Sequence, residues 1–402
     1  MHLRQHPIST KEATFWADIR KQFYLRDDMT YLQGGSVGPS ARPTIERTID
    51  LLRLFESDPL NNRHEGLLRP IIETARSKLA RFVGADPDRL ALLPNTTMGI
   101  NLPAQGLPWE RGSEILMSDQ EYPAVKNLFE YIAERDGLTL HKFPLPTPPE
   151  TPQDIVDAYA QRITDKTCLM IFSHVYCTTG LVAPIRALTR LAHDHGAMAI
   201  IDGAHALGMV PVNLTEIACD FYVTSCHKWL LTPKGVGMVY IDASYQNILR
   251  PLIIGHNNKP EPTASRYDRI GTADLTHYAG MDTAIDYQLE IGWEEKIRPY
   301  CLALARYLKE RVLEDIAGSH LTIPMDPEMS GFLTSFSIDG IDIGKLKDIL
   351  WTEYNIQTQS VFFNGIRAFR ISTHFYDSFH DIDRFIDTVN EIIQTRKDVA
   401  LT

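Results

Sequence analysis

Four stretches of the 402-residue chain place reactive side chains directly after short runs of β-forming residues or, in the last, within one. Leu90-Ala91-Leu92-Leu93 leads into Pro94-Asn95-Thr96-Thr97. A helix starting there would offer a phosphate free N–H groups, the positive end of its dipole and threonine hydroxyls. Met198-Ala199-Ile200-Ile201 leads into Asp202-Gly203-Ala204-His205. A carboxylate at the end of a buried strand costs several kcal/mol in desolvation unless a cation or good hydrogen bonds meet it. Phe221-Tyr222-Val223 leads into Thr224-Ser225-Cys226-His227-Lys228-Trp229, a hydroxyl, an imidazole and an amine beside an indole. A lysine that loses hydration there has a lowered pKa, and its neutral amine can form a Schiff base with an aldehyde. Near the C terminus, Arg370 stands in the alternating run Phe369-Arg370-Ile371-Ser372, where a guanidinium can grip a carboxylate with two parallel bonds.

Each stretch also has an ordinary reading when judged alone. Asn95, Thr96 and Asp202 are common helix caps, Lys228 can snorkel to the surface on its apolar stem, and Arg370 can be an exposed strand residue. His193-Asp194-His195 is the best metal-ligand candidate for a hydrolase, but at a surface helix end a solvated polar cluster is the ordinary reading.

The elements that position these residues alternate. Helical spacing of apolar residues covers Thr44 to Glu56, Glu65 to Val83 and Tyr122 to Arg135. Strand-like runs fall at 90–93, 114–117, 168–172, 198–201, 221–223 and 238–241. Several are apolar without alternation, as strands covered on both faces should be. This rhythm predicts an α/β fold with a mostly parallel central sheet flanked by helices, whose ligands sit beyond the carboxyl ends of the strands. The Pro-rich stretch 143–149 reads as a surface connection. From Arg250 to Gly271 no period is visible, a helix follows from about Thr276, and the last third reads as a smaller α+β domain.

Composition is that of an ordinary globular protein, with 44% apolar and 23% charged residues, which excludes disordered and collagen-like classes. The net charge of −11 repels nucleic acid and anionic lipid, so any bound phosphate must be held locally. Apolar runs such as Ala197 to Ile201 fall far short of the roughly 20 residues needed to cross a bilayer, and residues 1–7 lack the apolar region of a signal peptide. A cytoplasmic protein with no membrane or nucleic-acid partner is the expectation. Five cysteines without a CxxC pair suggest reduced thiols rather than a disulfide scaffold.

Taken in order, the four stretches resemble the fold-type I pyridoxal-phosphate enzymes of the class V aminotransferase family, from roughly Tyr31 to Phe385. Within that family, Tyr31 to Gly38, Asn95-Thr96-Thr97, Glu121-Tyr122 and His227-Lys228-Trp229-Leu230 look most like isopenicillin N epimerase relatives. The resemblance implies pyridoxal 5'-phosphate as cofactor, held by Lys228 through its aldehyde, with Asp202 facing the pyridine nitrogen. It implies Thr96, Thr97, Ser225 and His227 near the phosphate, His205 at the ring edge and Tyr122 stacked on the face opposite the lysine. It further implies a homodimer in which Thr272 reaches the neighbour's phosphate, and Arg370 anchoring the substrate α-carboxylate. The implied layout is an N-terminal segment over 1–30 packed on the small domain, a cofactor domain over 31–270, and an interdomain helix with the small domain over 271–402.

The stretch Tyr354 to Ser360 carries no thiol where cysteine desulfurases keep their nucleophile, which argues against persulfide-forming chemistry. With Lys228 as a single base and Tyr122 covering the opposite face, C–S β-elimination on a sulfur-substituted amino acid is favoured. Epimerisation comes next and transamination third, while decarboxylation is disfavoured by an arginine held on the carboxylate. A non-catalytic α/β binding protein is the alternative from another class, and it would be expected to lose the reactive amine.

Overall fold

The computed structural model describes residues 6–62, 66–255 and 263–401. They fall into two compact units. One comprises Pro43–Cys177 and Ala183–Tyr287; the other comprises the chain up to Arg42, Thr178–Val182 and the chain from Gln288 on.

The first unit is built on a seven-stranded sheet. Its strands are Leu90–Leu93 (β1), Glu114–Ser118 (β2), Thr139–Phe143 (β3), Thr167–Ser173 (β4), Met198–Asp202 (β5), Phe221–Ser225 (β6) and Gly237–Ile241 (β7), in the spatial order β1-β7-β6-β5-β4-β2-β3. Strand β7 runs antiparallel to both β1 and β6, and the other pairs are parallel. The carboxyl ends of the six strands other than β7 therefore share one edge, where Ser118, Ser173, Asp202 and Ser225 stand as last residues and Thr96 follows closely. Apolar side chains such as Ile115, Ile171, Ile200, Val223 and Val239 are fully buried, which explains their unbroken apolar runs.

The expected strands are present, each within two residues of its predicted bounds. Strand β3 was not anticipated. Its Thr-Leu-His-Lys-Phe lies at the sheet edge with three exposed residues, so its sequence carries little of the apolar signal that marks the others. The predicted helices are found at Arg42–Ser57, Leu68–Phe82 and Pro123–Asp136; the expected start of the second at Glu65 lies outside the described residues. Part of the aperiodic stretch after Arg250, residues 256–262, is also outside them. Beyond it, Ala264–Asp268 forms a 3-10 turn that sequence periodicity did not reveal. Asp268 fastens it, with Arg76 Nη2 at 2.8 Å and the Leu92 N–H at 3.3 Å.

The second unit holds four antiparallel strands, Ser319–Leu321 (β8), Leu333–Ile338 (β9), Gln359–Phe363 (β10) and Ile366–Ser372 (β11), in the order β10-β11-β9-β8. Helices Arg298–Asp315 and Phe379–Thr395 belong to the same unit, as does the N-terminal helix Thr10–Arg20, whose Trp16 stacks on Tyr300 with centroids 4.2 Å apart. The molecule is thus an α/β protein with a mostly parallel central sheet and a smaller α+β unit. Among the described residues no helix is long and apolar enough to cross a membrane.

Candidate functional site

The residues singled out by type are brought to the carboxyl edge of the sheet by strand register. Ser173 pairs with Asp202 across β4 and β5, and Asp202 pairs with Val223 across β5 and β6, two residues before Ser225. Helix Thr96–Gly106 (α1) begins beside them. Asn95 caps it by accepting the Met98 N–H at 2.9 Å, and Gly99 lets it lie close to β6 and β7, since a Cβ there would meet Val239 Cγ2 at 2.9 Å. The Thr96 N–H donates to Ser225 Oγ at 3.0 Å, and the two hydroxyls stand 2.8 Å apart. Hydroxyls from two elements therefore meet at a helix N-terminus.

Asp202 is 3% exposed, and among the described residues its carboxylate accepts one hydrogen bond, from the Ala204 N–H at 2.8 Å. Burial raises its pKa above the usual carboxylate value, against the lowering influence of that N–H and of the Lys228 charge. Gly203 is required beside it, because a Cβ would fall 2.2 Å from the Tyr222 ring. Lys228 Nζ lies 3.2 Å from His205 Nε2, and the Trp229 indole N–H donates to His205 Nδ1 at 3.3 Å. His227 is held by a 3.1 Å contact between its Nδ1 and the Val236 carbonyl, and burial lowers its pKa.

Lys228, Asp202, His205, Ser225, His227 and Thr96 thus lie on β5, β6 and the segments that follow the strand ends. Thr97 is exposed in the first turn of α1, Tyr122 is 46% exposed immediately before helix Pro123–Asp136 (α2), and Thr272 is exposed in a bend; among the described residues no hydrogen bond joins these three to the cluster. Arg370 belongs to the second unit, where it is buried in β11 and donates to Ser36 Oγ at 2.7 Å. His193, considered as a metal ligand, instead meets Asp220 at 2.9 Å, and His195 Nδ1 lies 2.9 Å from the Leu191 carbonyl.

Sequence reading passed over the buried chemistry of Glu121. Its oxygens accept from Ser118 Oγ at 2.9 Å and Ser173 Oγ at 2.5 Å. Burial, with a smaller push from the Asp202 charge, raises its pKa from 4.5 to about 8 despite the two serines. Between those values the folded protein keeps a proton that the unfolded chain releases, so this contribution is full below pH 4.5 and is lost as pH rises through 8. Glu121→Gln copies the neutral acid. In urea unfolding its stability relative to the parent should climb with pH from about 5 to 8, by a few kcal/mol. A constant difference across that range would mean that Glu121 is already ionised in the fold. The signal available in sequence was a glutamate just past an apolar strand; nothing in its spacing told that it points inward.

His174 is a second buried group of this kind. Its Nδ1 lies 2.9 Å from the Tyr222 hydroxyl, and burial lowers its pKa to about 3, which keeps the ring neutral.

With this geometry in hand, similarity to known proteins is informative. The family model for aminotransferase class V matches residues 38–385. An isopenicillin N epimerase of Amycolatopsis lactamdurans is 34% identical over 400 residues, covering 94% of this chain and 99% of that protein. A hercynylcysteine sulfoxide lyase of Schizosaccharomyces pombe is 24% identical, covering 89% of this chain and 93% of that protein. Among solved structures, the cystine C–S lyase C-DES in complex with cysteine persulfide superposes with a TM-score of 0.81 at 22% identity, covering 90% of this chain and 97% of that one.

Proposed function

Because the chain belongs to the class V aminotransferase family of pyridoxal-phosphate-dependent enzymes, we propose that it removes the α-proton of an amino acid with Lys228 and completes C–S β-elimination on a sulfur-substituted substrate. The observation that carries this reading is the pairing at the sheet edge: a buried carboxylate with one hydrogen bond, electrostatically coupled to an amine on the next strand's exit.

The residues present fit the cofactor. The raised pKa of Asp202 marks a carboxylate short of positive partners, and a protonated pyridine nitrogen is the partner it lacks. Thr96, Ser225, Thr97 and His227 at the start of α1 and the end of β6 supply the donors a phosphate dianion needs. When bound, pyridoxal phosphate supplies an aldehyde that reacts with amines and a protonated ring that spreads negative charge away from Cα. Asp202 keeps the proton on the ring nitrogen. Lys228 takes the proton from Cα, His205 orients that amine, and Tyr122 is assigned to the opposite face by its place in the family pattern. The same pattern assigns the α-carboxylate to Arg370 and, in a homodimer, the neighbour's phosphate to Thr272.

One amine base serves elimination well. The Cα–H bond breaks toward Lys228, the Cβ–S bond breaks with its electron pair leaving on sulfur, and water completes conversion to a keto acid, a thiol and ammonium. Epimerisation is the second reading, favoured by 34% identity to an isopenicillin N epimerase over nearly the whole chain.

Incubation with cysteine conjugates and α-amino acids in deuterated water separates the two. The lyase reading expects keto acid and released thiol in equal amounts. Deuterium at Cα with inverted configuration and no keto acid would establish the epimerase reading in its place.

A further inference from the structure

We propose that Trp229 is a positioning residue: its indole fixes the tautomer of His205, which in turn holds Lys228 as an unprotonated amine whenever that amine is not covalently engaged. The inference rests on the cofactor role assigned to Lys228 and deepens it.

Two contacts fix where the His205 proton sits. Trp229 is fully buried and His205 is 3% exposed. The indole N–H lies 3.3 Å from His205 Nδ1, with the two ring planes tilted by 59°. An indole nitrogen donates and cannot accept, so Nδ1 must offer its lone pair and carry no proton. A neutral imidazole has one N–H, which is therefore on Nε2. Lys228 Nζ stands 3.2 Å from that Nε2. An ammonium there would set donor against donor; a neutral amine accepts the Nε2–H. An imidazolium fails for the same reason, since it would face the indole N–H with a second N–H.

The arrangement opposes the other charge nearby. Asp202, at the end of β5, favours the ammonium form of Lys228, while His227 on the same segment is kept neutral-leaning by burial. The His205 Nε2–H aimed at Nζ favours the free base. The consequence is chemical. Only the lone pair of a neutral amine attacks an aldehyde carbon: the C–N bond forms, the carbonyl oxygen departs as water, and no external proton acceptor is needed at the start. The same neutral amine, once released, is ready to receive the proton of Cα.

Because Lys228 and Trp229 are consecutive, both ends of the imidazole are gripped by one short segment. A Trp229→Phe change keeps an aromatic ring in the space and removes the donor together with part of the buried indole, and the tautomer readout isolates the loss of the donor.

The test uses histidine-labelled full-length holoenzyme and long-range proton–nitrogen NMR, with the His205 signal identified by its loss in His205→Leu. The expected result is a proton on Nε2 and an accepting Nδ1 across pH 6 to 9, changing to a mixed or reversed tautomer in Trp229→Phe. In a second measurement, protein freed of cofactor with hydroxylamine is mixed with pyridoxal phosphate and covalent attachment is followed by absorbance. Near pH 7, Trp229→Phe should attach the cofactor about tenfold more slowly, with its pH profile displaced upward by about one unit. His205→Leu should show the same displacement, so the proposal remains open to test if Trp229→Phe does not fold. A wild-type proton on Nδ1, or a Trp229→Phe profile that superimposes on the parent, overturns the proposal. Absence of any cofactor uptake by the wild type would instead overturn the role of Lys228, leaving the tautomer spectrum as a separate reading.

Discussion

Lys228→Ala should fold and still lose turnover by at least ~10⁴-fold, because the one change removes both the covalent anchor and the general base. Lys228 is half-buried past the end of β6, with its Nζ 3.2 Å from His205 Nε2, so the truncation opens no core cavity. Thermal melts should therefore lie close to the parent while keto-acid release disappears. If activity persisted within tenfold of the parent, the proton would have to be taken by another group, and the assignment of Lys228 would be wrong.

Asp202→Asn is expected to separate stability from function. The buried carboxylate is costly in the fold without its cofactor, as its raised pKa records. A raised folded pKa means stability that is present at low pH and fades as pH rises through the folded value, and an amide carries no such dependence. Cofactor-free Asp202→Asn should thus melt no lower than the parent at neutral pH, and its advantage should shrink as the solution is acidified toward the ordinary carboxyl range, where the parent carboxyl is protonated in both states. Cofactor affinity should move the other way. Removing one partner of a buried charge pair costs roughly 3–5 kcal/mol, which is about 10²–10⁴-fold in binding. Equilibrium titration of pyridoxal phosphate into both proteins reads this directly. Equal affinities would show that Asp202 does not meet the ring nitrogen, whatever its proximity to Lys228. This pattern, weaker function at no loss of stability, is what a residue kept for chemistry rather than for folding should give.

How much of this was legible beforehand depended on the kind of signal. Strands β4, β5 and β6 are buried on both faces, so their runs of Leu, Ile, Val and Phe announced them, and the polar residues at their ends stood out against that background. The edge strand β3, with exposed Thr139, His141 and Lys142, had no such contrast. The 3-10 turn at Ala264–Asp268 was hidden for another reason: its anchor is the Asp268–Arg76 pair, and two residues so far apart in sequence give no local sign of meeting.

The site followed the same division. Asp202, Ser225 and Lys228 stood out because each terminates or follows an apolar run, and the ordered set could be matched to a family. What escaped was contact between side chains. That Thr96 and Ser225 share a hydrogen bond depends on α1 lying beside β6, and the inward turn of Glu121 depends on Ser118 and Ser173 being last residues of adjacent strands. The bond from Trp229 to His205 was equally out of reach, since adjacency of Lys228 and Trp229 does not reveal which way either side chain turns. The residues Thr97, Tyr122 and Thr272 remain assignments by family pattern, their side chains exposed.

The most direct test of the central claim, that Lys228 and Asp202 hold one cofactor between them, is borohydride reduction of the purified holoenzyme followed by peptide mass mapping, performed in parallel on Asp202→Asn. The account predicts one phosphopyridoxyl group on Lys228 in the parent protein and much weaker labelling of the same lysine in the variant at limiting cofactor. Label on a different lysine, or equal labelling of Lys228 in both proteins at limiting cofactor, would contradict it.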